Sequence, residues 1–447
     1  MSFNYDINTK PANNNISFKS SGKAASRISE ELTSNLTKRQ RIIAKIIDLK
    51  EGDSGLSNSR FAQATLTNWF PKAIFSRSIA DLSEVTFLEV LEGALFFYLP
   101  SIVGEYFSRR QIFSKTLPKE LRQDISKPVV DIVKNNSKNA QKLIPAKAAI
   151  VLSCAAIPAA EYALSFAKNL FTLKVFKQAD FTSVANLDKT KAGEDKAKQE
   201  RVDKSAKEHL KKAGIFSAVA FAASLLLGTA GQKSKAVSKA CEYFLNPGAK
   251  LYKGLSKLGV NNQKLERFLN KYINLDFARK SDGSLALGNG QLAVTVISGV
   301  FGYFGAAKDR GKLDVQEVAT RVPIIAAYTI FGSTLFDEGF KKILHSDRKY
   351  PEILKFNKET SEYTVASLND IPRIARDIAG GDEKLLKAKI QELFRGKTKI
   401  SMVPFFFSLG VVGALLSLVS RICTQYRYNK NLQESLNNTP VNVVKNS

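Results

Sequence analysis

Between Lys212 and Lys233 the chain reads AGIFSAVAFAASLLLGTAGQ, residues 213–232, with no charged side chain. A helix needs about 20 consecutive apolar residues to cross the hydrocarbon core of a bilayer. The stretch meets that length test, and three further runs meet it in their own ways. ISMVPFFFSLGVVGALLSLVS, residues 400–420, is equally free of charge. AAIVLSCAAIPAAEYALSFA, residues 148–167, carries one acid, Glu161. The uncharged stretch from Gly283 to Ala307 predicts a span over residues 285–307, after a loop around Gly288 and Gly290.

Two weaker runs flank these. Residues 85–104 are interrupted by Glu89, Glu92 and Pro100, and residues 322–336 end at Asp337 after 15 positions. Each reads as a half-span or a buried helix. A soluble helical protein rarely needs four long runs with at most one charge apiece. The expected fold class is therefore all-α, a polytopic helical membrane protein with four to six apolar spans and extramembrane amphipathic helices.

The remainder is polar and basic. Lys plus Arg number 67 against 41 Asp plus Glu, a net charge of +26 in 447 residues, which favours a polyanionic partner. Mean hydropathy is −0.14, too low for a chain made mostly of spans. The order runs from a polar N-terminal stretch without fixed structure (1–35) to a basic interfacial segment (36–84) and a first membrane-helix region (85–232). An amphipathic linker (233–284) leads to a second membrane-helix region (285–345). A polar helical segment (346–399), a final span (400–420) and a polar tail (421–447) complete it. No apolar h-region marks the N-terminus as a cleavable signal.

LTKRQRIIAKIIDL, residues 36–49, gathers isoleucines on one helical face, with Lys38, Arg39, Arg41 and Lys45 around them. That pattern suits a helix on anionic lipid, or a surface helix packed on its own protein. Trp69, the one tryptophan, sits beside Phe70 and Pro71 and suits the headgroup layer. Asp188 to Lys212 is dense in charge of both signs, as in a solvated helix with i,i+4 pairs. A faint echo links Gly193-Glu194-Asp195-Lys196 to Gly381-Asp382-Glu383-Lys384, each preceding a clean run at similar distance.

The usual chemical motifs are missing. No G-x-x-x-x-G-K-[ST], H-E-x-x-H or G-x-S-x-G is present. Cys154, Cys241 and Cys423 are scattered, and His209 and His345 fall in charged stretches, so neither a disulfide framework nor a metal or catalytic site is expected. No catalytic residue and no cofactor is assigned, and an enzyme is the less favoured class. The basic surface lacks the interleaved aromatics of a single-strand binder, so nucleic acid is disfavoured.

Small residues recur at spacing four within the runs: Ala155, Ala159 and Ala163; Ala220, Ser224 and Gly228; Ser298, Gly302 and Ala306; Gly410 and Ala414. Such stripes let helices touch backbone to backbone. Glu161, Glu89 and Glu92 are the candidate intramembrane polar residues, because a carboxylate in hydrocarbon is costly unless it is paired or used. Glu161 is expected to face the bundle interior, near Tyr303, Ser298 or Thr295.

The leading functional expectation is a non-catalytic membrane-binding or organising protein with a lipid bilayer, anionic in character, as its partner. A transporter or channel-like protein using the carboxylates is the first alternative. A membrane-inserting effector or pore former is the second. The expected location is a bacterial inner (cytoplasmic) membrane. Lys and Arg are shared almost evenly between alternate loops, so common-side termini rest only on an even count of spans.

Overall fold

A computed structural model describes residues 28–51, 68–100, 102–103, 117–118, 121, 123–135, 137–188, 195–279, 285–357 and 362–437. The expected polar stretch up to residue 27, the tail from 438 and the connection at 52–67 lie outside the described residues. Helix makes up 82% of the structure, which settles the class as all-α. Strands among the described residues form two short antiparallel hairpins, Ala278–Arg279 (β1) with Leu285–Ala286 (β2), and Leu354–Asn357 (β3) with Glu362–Val365 (β4).

In chain order the helices are α1 (Glu30–Ser34), α2 (Lys38–Glu51), α3 (Phe70–Ile74), α4 (Ile79–Phe97), α5 (Val129–Asn135), α6 (Ser137–Ser153) and α7 (Ala156–Phe176). They continue as α8 (Phe181–Val184), α9 (Lys196–Thr229), α10 (Lys235–Leu245), α11 (Pro247–Lys257), α12 (Gln263–Tyr272) and α13 (Asn289–Arg310). The last are α14 (Lys312–Ala327), α15 (Ser333–Ser346), α16 (Asp370–Ala379), α17 (Glu383–Phe407) and α18 (Leu416–Asn437). π-helical turns at Tyr328–Gly332 and Ser408–Leu415 join α14 to α15 and α17 to α18 without a break.

Among the described residues five helical stretches are long and apolar enough to cross a membrane: Asn139–Phe176, Lys196–Lys233, Asn289–Arg310, Lys312–Ser346 and Glu383–Ser435. They suggest a membrane location. The run at 322–336 is thus the middle of a continuous 35-residue helix. The run at 85–104 is not among the five. Its helix α4 carries Asp81, Glu84, Glu89 and Glu92, more acid than a lipid-facing helix tolerates. The helix expected from residue 285 begins instead at Asn289, because Leu285 and Ala286 pair with β1.

The echo between Asp195 and Asp382 is explained by capping. Asp195 accepts from the Ala197 N–H at 2.9 Å, and Asp382 accepts from Lys384 and Leu385 at 2.9 and 3.1 Å. Each starts a long helix whose first half is charged and whose second half is apolar. An N-cap carboxylate satisfies orphan donors and complements the helix dipole.

Helices α7 and α13 run parallel. Glu161 meets Gly299, Tyr162 meets Gly302, Phe166 meets Gly305, and the Asn169 amide donates to the Ala306 carbonyl at 2.9 Å. A Cβ at Gly302 would run into the Tyr162 backbone, so these two helices touch main chain to main chain. Helix α9 runs against them: Ser153 bonds Ser224 at 2.6 Å at one end, and Lys174 pairs with Asp203 at 2.7 Å at the other. Two thirds of the most apolar part of Asn139–Phe176 is buried within the molecule, against 17% for Lys196–Lys233 and for Lys312–Ser346. The run around Glu161 is therefore the centre of the bundle.

Two segments remote in sequence, 28–51 and 344–405, contribute to a lobe at one end of the bundle. Leu32, Leu36, Ala44 and Ile47 pack with Ile353, Ile371, Ile390 and Phe394 in one core. Residues 28–35, expected to be unstructured, belong to it: Ser29 caps α1 and Leu32 is fully buried. At the opposite end, Tyr428 of α18 packs with Leu313, Phe181 and Leu187.

Candidate functional site

Helix α4 is amphipathic in an inverted sense. Its acids Asp81, Glu84 and Glu89 are buried, while Ile79, Leu82, Val90 and Leu91 are exposed. Ser78 starts the helix by accepting the Asp81 N–H at 2.9 Å. The acids then project every three to five residues into the bundle and meet cations from four other elements. The result is a buried polar seam along α4, α7, α13 and α14.

At its outer end, Arg77 grips Glu317 in a fork, with Nη1 to Oε2 at 3.0 Å and Nη2 to Oε1 at 3.1 Å. Asp81 accepts from the Arg77 backbone N–H at 2.9 Å. Burial pulls the Arg77 guanidinium down, but Glu317 and Asp81 outweigh it and hold the group above its ordinary range. Arg421 donates to the Lys72 carbonyl at 3.1 Å and lies 3.5 Å from Asp81.

One layer deeper, Glu84 receives Arg310 Nη1 at 3.0 Å and the Thr172 hydroxyl at 2.6 Å, with Lys168 at 3.4 Å. Arg310 also donates to Asn169 Oδ1 at 3.2 Å and lies 3.6 Å from Asp314. Charges buried in this way persist only when paired and hydrogen-bonded. Lys168 and Arg310, which lie just past the ends of two apolar runs in the sequence, are thus turned inward rather than toward solvent.

Farther along α4 lie Glu89 and Glu92, and the structure brings them together with Glu161, the third predicted carboxylate. Lys72 pairs with Glu89, and the Tyr303 hydroxyl donates to Glu92 Oε1 at 2.6 Å. Glu161 is 5% exposed, lies against Gly299, and has Glu92, Glu89 and Lys72 as its neighbouring charges. It is buried in the bundle, and among the described residues its Oε2 finds no hydrogen-bond partner. Tyr303 serves Glu92, and Thr295 donates to its own helix at Gln291, 2.8 Å away. Ser298 is half-buried, and the neighbouring Gly299, one position on, supplies the close approach.

The packing candidates divide. Ala163, Ala220, Ser224, Gly228, Gly302 and Ala306 are buried between helices. Ala155 falls in the break between α6 and α7, and Ala159 and Ala414 are half-buried. Gly410 is exposed, with open space where a Cβ would stand, and Gly413 is the buried glycine there. A π turn advances by more than an α turn, so spacing four no longer marks one face.

The interfacial candidates lie apart from the seam. Trp69 is half-buried and donates its indole N–H to the Thr86 hydroxyl at 2.9 Å. Lys38, Arg39, Arg41 and Lys45 are exposed on α2, together with Ile42 and Ile46, while Ala44 and Ile47 enter the lobe core. His209 is not a solvated residue: its ring stacks on Phe166 at 4.0 Å and meets the Tyr162 hydroxyl at 2.8 Å. A cleft of about 550 Å³ between α2 and α17, lined by Gln40, Ile43, Tyr350, Arg395 and Lys399, contains no paired nucleophile and base. Among the described residues no group of His, Cys, Asp and Glu is arranged to hold a metal ion. No family model, curated protein or solved structure matches the chain.

Proposed function

We propose that this chain is an integral membrane protein that acts by binding and organising at an anionic bilayer, without catalysis of its own. The observation that carries the reading is the inverted distribution of polarity. Leu226 is 67% exposed and Phe301 66%, while Ser224, Thr295, Arg310 and Glu317 are buried. Water would select the opposite arrangement, and hydrocarbon selects this one. The bundle is the anchor, the lobe is the platform for partners, and the exposed basic strip of α2 faces headgroups. An all-helical set of spans fits a bacterial inner membrane, since the outer membrane is the home of closed β-barrels.

Residues 28–51 share a core with residues 344–405 at one end, and α18 finishes at the other. The test of the function is lipid retention. Protein purified in mild detergent should carry anionic phospholipid enriched above its share of the source membrane, and charge reversal at Lys38, Arg39 and Lys45 should lower that enrichment. Retention in proportion to the bulk membrane overturns the proposal.

A second reading, a proton- or ion-coupled transporter, is favoured by the meeting of Glu161, Glu92 and Glu89 at the end of a seam of buried charge. Intramembrane carboxylates commonly mark ion pathways. Glu161→Gln should then insert normally but abolish coupled flux in proteoliposomes. Equal flux in parent and variant removes this reading and leaves the carboxylates as packing contacts.

A further inference from the structure

The three helices α10, α11 and α12 connect the Lys233 end of one candidate span to the Asn289 start of the next. They pack as one unit. The Gly248 N–H donates to the Ile273 carbonyl at 2.7 Å and the Leu275 N–H to the Leu245 carbonyl at 3.0 Å, closing the unit on itself. Gly248 is required there, because a Cβ would strike the Leu269 backbone. The unit is fixed to the bundle through Asp276, which pairs with the fully buried Lys147 at 2.7 Å and accepts the Val129 N–H at 2.9 Å.

What this unit shows to its surroundings is unusual for a surface in water. Leu251 and Leu255 of α11 and Leu258 at its C-cap fall at i, i+4 and i+7, and Leu258 is 81% exposed. Phe268 of α12 is exposed too, and its ring stacks 6.2 Å from Phe331, which also meets Tyr272 at 4.9 Å. Phe331 belongs to the apolar run of the Lys312–Ser346 helix and lies about 9 Å of helix rise before Asp337, the acid that ends that run. Helix α12 therefore packs against the side of a candidate span. Residues 235–273 carry eight Lys and Arg against Glu242 and Glu266, and Glu242 is already neutralised by Lys250 at 2.5 Å.

We propose that α10–α12 lies flat on an anionic lipid leaflet, with Leu251, Leu258 and Phe268 at the acyl boundary and the surrounding lysines on headgroup phosphates. This rests on the membrane reading above. Apolar side chains among lysines at the level where spans enter and leave describe an interfacial helical element. Each cation at the headgroup level adds about 1 kcal/mol of attraction to an anionic leaflet. A nucleic acid would meet the lysines but leave Leu258 in water.

The experiment places a bimane label at Leu258→Cys in the full chain, with Cys423→Ser, in nanodiscs containing phosphatidylglycerol and doxyl-labelled lipid. Lys384→Cys, exposed on α17 in the lobe, is the aqueous control. Quenching at position 258 should exceed the control by at least about threefold, and Lys253→Glu with Lys257→Glu should bring it down toward the control. Leu251→Cys repeats the measurement should the first variant fold poorly. Quenching at positions 258 and 251 equal to the control, in protein that remains embedded in the disc, overturns the proposal while leaving the membrane reading intact. Failure of the protein to enter discs at all overturns both.

Discussion

Arg310 is 2% exposed and holds Glu84, Asn169 and Asp314 from one position, so its loss takes the nearest cation from Asp314 and leaves Glu84 with Lys168 and Thr172. Removing one partner of a buried pair costs about 3–5 kcal/mol, whereas removing both in favour of apolar groups costs far less. Arg310→Met should therefore lower thermal stability in detergent sharply, and Glu84→Leu combined with Arg310→Met should recover part of the loss. A double variant as unstable as the sum of the singles contradicts the pairing. Asp180 makes a different residue-scale test, outside the bundle. Burial raises its carboxyl, but Lys198 and the Thr182 N–H and hydroxyl outweigh burial and hold it below the usual aspartate range. A depressed folded value means that the stabilisation is complete above the ordinary range and lost as pH falls through the folded value. Hydrogen exchange at residues 181–187, corrected for intrinsic rate, should stay flat from about pH 8 to pH 5 and rise only below about pH 4. A rise between about pH 8 and pH 6 contradicts this. Glu161 was legible in the sequence because an acid inside an apolar run is conspicuous. Arg310 and Lys168 were not, since a charge at the edge of a run reads the same whether it turns to solvent or into the bundle.

Among the elements, the contact of α7 with α13 depends most on the absence of a side chain. A Cβ at Gly302 would meet the Tyr162 main chain, which cannot rotate away. Gly302→Val should separate the helices at a cost of about 1–3 kcal/mol, the usual range for overpacking. It should also leave Tyr303 less able to reach Glu92. Unchanged thermal stability in detergent would show that the helices are held elsewhere. Spacing-four stripes identified Gly302 and Ala306 because both lie in regular α-helix. They failed at Gly410, where Ser408–Leu415 is π-helical and Gly413 takes the buried place. Helix α4 was the hardest element to read. Its acids made it a poor span, and only the cations of α7, α13 and α18, remote in sequence, reveal it as the charged spine of the bundle.

For the whole molecule, the all-α class and the apolar runs followed from charge spacing, a local property. The lobe did not, because it joins residues 28–51 to residues 344–405 and nothing local announces a contact across that separation. Polarity turned outside in was also beyond the sequence, which shows periodicity but not which face is covered. That inversion requires hydrocarbon around the bundle, and alkaline carbonate extraction of a membrane fraction tests the requirement. Carbonate strips proteins held by charge and leaves those held by hydrocarbon, so +26 of net charge cannot by itself retain the chain. The protein should stay in the membrane pellet after both high salt and carbonate, and its release into the supernatant by carbonate would contradict the account.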